Sequence, residues 1–224
     1  MFGINDMRAE SVARRKAGRA EAVPGEAFRT TGLVGGTRIA TEMGWRPVEA
    51  VAVGDLVLTF DNGLQPVVAV TRTPVETPSR PSFFNTPIRV PVGALGNAKS
   101  MILLPDQSVV VESDAAEDLF GDPFAALKAR DLFGLAGIDH ADPADVREVV
   151  TLHFAEDQVL HADGGALIVA TADIPGETTL AFLTHARTPA PYATYDGQAA
   201  RMIVSRMAQP DARLGEGGLM RPAA

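Results

Sequence analysis

Histidines are the residues here best suited to acid–base or metal chemistry. His153 and His161 stand eight residues apart in neighbouring extended segments, and such a pair can act as metal ligands or as acid and base. On strands they share a face only if the turn between them keeps register. No third ligand stands at a readable spacing, and His140, within Asp139-His140-Ala141-Asp142, is a loop residue. The acidic run Glu112, Asp114, Glu117, Asp118 and Asp122 lacks the oxygen-ligand spacing of an EF-hand. Ser108, Ser113 and Ser205 lie in no nucleophile motif. Thr30 and Thr31 offer hydroxyls beside Gly32, and a threonine needs a base to become nucleophilic. There is no cysteine, which removes disulfides, thiolate metal sites and a thiol nucleophile together. The expectation is structural or surface histidines, with no metal and no cofactor.

The bulk composition narrows the classes further. In 224 residues, 46% hydrophobic content is ample for a core. A formal net charge of −8 opposes non-specific binding to nucleic acid or anionic lipid, because phosphate recognition starts from clustered Lys and Arg. No run approaches the roughly 20 apolar residues of a membrane helix, and the first residues lack a signal-peptide core. The sequence therefore predicts a cytoplasmic protein, or one exported without an N-terminal signal peptide, with neither nucleic acid nor membrane as partner.

The elements that must position these residues read as mostly β. Extended runs at 37–41 and 56–60 flank a Gly54-Asp55 turn, and Asp61-Asn62-Gly63 turns the chain into a further run at 66–70, giving a hairpin. Residues 71–87 hold four prolines and predict a loop or an edge connection. Residues 88–95 turn extended again. Residues 101–112 form two apolar runs broken at Pro105-Asp106, and 146–171 predict strands around Glu156-Asp157 and a Gly164-Gly165 turn. Asp122 followed by Pro123 predicts a helix cap, with Phe124, Ala126 and Leu127 as an apolar face ending at Gly134. Residues 1–31 read as an exposed, partly helical arm with Arg8, Arg14, Arg15, Lys16 and Arg19. Residues 173–224 read as a C-terminal extension, helical over 197–207, whose Met202, Ile203, Val204 and Met207 favour docking.

The blocks G-T-R-I-A-T, G-W-R-P-V-E, V-G-D-L-V-L-T and D-N-G-L-Q-P-V occur in sequence between Gly36 and Val67. Together they resemble the opening of a Hint (hedgehog/intein) domain of the bacterial branch. The resemblance implies a Hint-like fold of β-hairpins with one short helical insertion, over residues 32–172. It also implies self-cleavage or splicing that begins at a Cys or Ser about four residues before the glycine of the G-T pair. That position is Gly32 here. The histidine that engages the scissile peptide falls on Gln107, and the small hydroxyl residue before it on Leu104. A closing histidine falls on Gln158, and the terminal His-Asn pair on Ile168-Val169.

Glutamine cannot shuttle a proton near neutral pH. Losing one member of a catalytic unit commonly removes most of its rate enhancement. The expected function is thus a Hint-fold protein without self-processing residues, serving as a binding or structural module for another protein. The competing expectation is a self-processing domain that cleaves near Thr30 to Gly32, with a one-residue slip making Thr31 the nucleophile.

Overall fold

The computed structural model describes residues 30–75, 82, 85–172 and 192–209. Fifteen strands and two α-helices are defined among these residues. Residues 1–29 of the expected N-terminal arm, and residues 173–191 and 210–224 of the expected C-terminal extension, lie outside them.

The chain enters through β1 (Leu33–Val34), then forms a hairpin of β2 (Arg38–Thr41) and β3 (Gly44–Pro47). A second hairpin joins β4 (Leu56–Thr59) to β5 (Gly63–Pro66). Its turn is closed by Thr59, whose hydroxyl donates to the Gly63 carbonyl (2.8 Å) and accepts from Asn62 N–H (3.2 Å), while Gly63 takes φ 63°. Strand β6 (Ala69–Pro74) runs along the edge of a sheet, where Pro74 ends it. The proline-rich stretch is therefore edge strand as far as Pro74, and residues 76–81 lie outside the described set.

Next come β7 (Ile88–Val90), β8 (Met101–Leu103) and β9 (Ser108–Glu112). The extended run expected over 88–95 stops at Val90, because Gly93 and Gly96 take φ 83° and 73° and turn the chain. Helix α1 (Asp114–Phe120) is capped by the Ser113 side chain, which accepts from Ala116 N–H, and ends at Gly121 with φ 79°.

The helix expected after Asp122 is a strand, β10 (Phe124–Lys128). Asp122 Oδ1 does accept from Phe124 N–H (3.0 Å), as an Asx turn rather than a helix cap. The chain then pairs residue by residue with β9, from Phe124 opposite Glu112 to Lys128 opposite Ser108. Ladder pairing and burial of Ala125 and Leu127 outweigh the local Asp-Pro signal.

After β11 (Asp139–His140) come β12 (Glu148–His153), β13 (Gln158–Ala162) and β14 (Ala166–Ala170). The chain returns at β15 (Thr194–Tyr195) and α2 (Gly197–Met207).

One sheet has six strands in the order β11-β7-β8-β1-β12-β6. The other has nine, in the order β15-β10-β9-β14-β13-β2-β4-β5 with β3 on β2. All pairs are antiparallel except β10 with β15. Consecutive strands change sheet at five points, between β1 and β2, β5 and β6, β8 and β9, β10 and β11, and β12 and β13. The inward residues of both sheets, among them Leu33, Leu103 and Val150 from one and Ile39, Val109 and Leu160 from the other, share a single apolar core. Among the described residues no helix is long and apolar enough to cross a membrane.

Candidate functional site

The crossings between the two sheets bring distant residues to one place. The turn after β8 delivers Gln107, the start of β1 delivers Gly32, and β14 delivers Ile168 and Val169; all four line a cavity of about 280 Å³. The loop carrying Gln107 is held on both sides. Gln107 N–H donates to the Leu104 carbonyl (3.0 Å), and the Gln107 carbonyl accepts from Ala129 N–H (2.9 Å). Leu104 itself is fully buried, packed with Val34, Val146 and Val149.

The Gln107 side chain is buried and its amide is fully engaged. Oε1 accepts from Gly32 N–H (2.9 Å), while Nε2 donates to the carbonyls of Ser108 (3.0 Å) and Val169 (2.8 Å). Two carbonyl acceptors and one N–H donor leave only one orientation for this amide. Gln107 therefore presents a carbonyl oxygen, not a proton, to the nitrogen of the Thr31–Gly32 peptide. An acyl shift there would need that nitrogen to be protonated as it leaves.

Gly32 takes φ +115°, a region that side chains rarely adopt. A Cβ added there would lie 2.5 Å from Val149 Cγ1 and 3.3 Å from Thr151 Oγ1. The neighbouring strand fills the space that a nucleophile would need. Thr31 is exposed at the cavity mouth. The carbonyl of Thr30 accepts from Asp106 N–H (2.8 Å), and the Asp106 carboxylate pairs with Arg130.

Asp106 and its Arg130 partner escaped the sequence reading. The Pro105-Asp106 break marked a turn, but nothing local indicated which carbonyl that turn would hold.

The other expected positions lie elsewhere. Gln158 is buried and accepts from Asn62 Nδ2 (2.9 Å), outside the cavity. His153 and His161 fall in different sheets, so they do not form a pair. His153 is buried with Nε2 3.0 Å from Thr71 Oγ1, whereas His161 packs edge-on to Phe60 at 5.9 Å between ring centroids. Burial lowers the His161 pKa. His140 stacks at 4.7 Å on Phe133. Among the described residues no three His, Asp or Glu side chains converge as a metal site.

The Hint domain profile matches residues 31–167, which include β1 and every strand that builds the cavity up to the start of β14. The chain belongs to the Hint domain family. Its structure is similar to the bacterial intein-like domain from Clostridium thermocellum, at 13% identity over 64% of this chain and 100% of that one, with a TM-score of 0.44. It is also similar to a variant of the MchDnaB-1 intein, at 16% identity, 62% and 99% coverage and a TM-score of 0.42. The gp41-1 intein is a third similar structure, at 14% identity, 62% and 97% coverage and a TM-score of 0.37. No curated protein matches the chain.

Proposed function

We propose that this chain is a Hint-fold module that no longer cleaves or splices its own backbone and acts by binding another protein. The observation that carries this reading is the state of the Thr31–Gly32 peptide. Its nitrogen donates to a glutamine carbonyl, and the residue that would supply the nucleophile is a glycine packed against Val149. Neither the attack nor the protonation of the leaving amine has a side chain to perform it.

The test is intact mass of the purified chain after prolonged incubation, with and without a strong external thiol. The expected result is one unchanged mass in both conditions. A pair of fragments meeting between residues 30 and 32 would overturn the proposal.

One observation favours a second reading, cleavage of the Thr30–Thr31 peptide by the Thr31 hydroxyl. The Thr30 carbonyl, the group such a hydroxyl would attack, already accepts a hydrogen bond from Asp106 N–H. That reading predicts fragments divided between 30 and 31 that vanish in Thr31→Ala.

A further inference from the structure

Antiparallel sheets commonly turn polar residues to water, whereas the outer face of the nine-stranded sheet carries a patch of large apolar residues. Strand alternation sends Ile39, Val57 and Leu160 into the core. On the opposite face Trp45 stands across from Ala40, Leu64 across from Leu58, and Phe60 continues the row. Trp45 and Phe60 are 38% exposed, Leu58 39% and Leu64 45%. Phe60 also meets Phe124 and Tyr192, with ring centroids 5.7 and 6.2 Å away.

Carboxylates border this patch. Asp61 accepts from the Tyr192 hydroxyl (2.6 Å), Asp122 accepts from Phe124 N–H, and Glu112 stands opposite Phe124 in the ladder. Among the described residues the ion pairs are Arg46–Asp55, Arg89–Asp145, Arg130–Asp106 and Arg206–Asp118, so none of the three bordering carboxylates has a cation.

We propose that this face is the docking site of the chain's own N-terminal segment, residues 8–19. That segment holds five basic side chains, Arg8, Arg14, Arg15, Lys16 and Arg19, against the single acid Glu10, in a chain of net charge −8. Guanidinium groups stack on aromatic rings and pair with carboxylates, and their aliphatic stems cover apolar surface such as Leu58 and Leu64.

The tether is long enough. The ten residues between Arg19 and Thr30 span up to about 33 Å when extended, against a radius of gyration of about 15 Å for a body this size. Tethering also gives the segment an effective concentration of roughly millimolar, which favours it over a free basic peptide. The tethering rests on the reading that the Thr31–Gly32 peptide stays intact, since cleavage there would release the segment, and the intact mass of the labelled chain separates that failure from a failure to dock.

The chain has no cysteine and a single tryptophan, Trp45, on this face. A nitroxide placed on Ala13→Cys in the full-length chain is therefore unique. At low salt the expected result is at least a twofold loss of amide NMR intensity at residues 58–64 and 124, together with quenching of Trp45 fluorescence. Both should reverse near 0.5 M salt, where the Debye length is about 4 Å, and in the variant Asp61→Asn/Asp122→Asn/Glu112→Gln. The variant Arg14→Gln/Arg15→Gln/Lys16→Gln changes none of the described residues and should also reverse them. Intensity loss on another face, or loss that ignores salt and the arginine variant, would overturn the proposal. Loss seen only when labelled and unlabelled chains are mixed would overturn it in favour of a second copy.

Discussion

Restoring a thiol at position 32 meets two obstacles, a backbone at φ +115° and a Val149 methyl 2.5 Å from the new Cβ. Strain at positive φ and overpacking each cost about 1–3 kcal/mol. Gly32→Cys should therefore lower stability by roughly 2–6 kcal/mol in urea unfolding and leave the intact mass unchanged. Adding Val149→Ala should recover part of the loss, and a fully stable Gly32→Cys would contradict the close packing of Gly32 on Val149. Gln107→Leu tests the other half of the site. It strands Gly32 N–H and the Val169 and Ser108 carbonyls, at a cost of about 2–4 kcal/mol. Gly32 and Gln107 were legible in the sequence as positions, each picked out by a block of neighbours. Their contact across 75 residues was not legible, because a hydrogen bond between loops of different hairpins leaves no local pattern. For Gln158 the family resemblance alone gave a position, and the structure occupies that side chain with Asn62.

The hairpin turn between β13 and β14 is an element whose stability depends on pH. Asp163 sits there at φ 43°, buried, with Oδ1 accepting from Arg38 N–H (3.3 Å). Burial raises its pKa above the ordinary 3.8, an effect that Arg38 and Lys99 only partly offset. The folded state thus holds the proton more tightly than the unfolded chain. The resulting stabilisation is complete below the unfolded value of 3.8 and is lost as pH rises through the folded one. Asn tolerates the left-handed conformation and still accepts from Arg38. Asp163→Asn should flatten the urea midpoint against pH just above 3.8 and be no less stable than the parent at neutral pH. A steeper profile in the variant would contradict this account. Helix α1 and strand β10 show where local signals mislead. Ser113 rather than Asp122 holds a helix, and Ser113→Ala should cost about 1 kcal/mol. Asp122 makes a capping-type bond in both conformations, so only the β9 ladder decides between them, and that ladder is not local.

At the scale of the whole molecule, the β-rich class and most hairpins were legible because period-two apolar runs and Gly or Asn turns are local signals. The division of neighbouring strands between two sheets was not. β8 and β9 read as consecutive runs about a Pro-Asp break, yet the break sends them to different sheets and thereby creates the cavity. The C-terminal segment, outside the 31–167 match, is bound into the same body. Tyr195 stacks at 4.7 Å on Phe120, and Ile203 is fully buried. Ile203→Ala should cost about 2–4 kcal/mol and still unfold in one transition if α2 is part of one cooperative unit. Strand β1, only two residues long, lies between β8 and β12, with Leu33 opposite both Leu103 and Val150. During synthesis Leu33 emerges from the ribosome early, and its second neighbour emerges only when Val150 does. The first strand of the fold thus waits for one of its last, and this sheet can close only after most of the chain has been translated, a topology that slows folding through long loop closure.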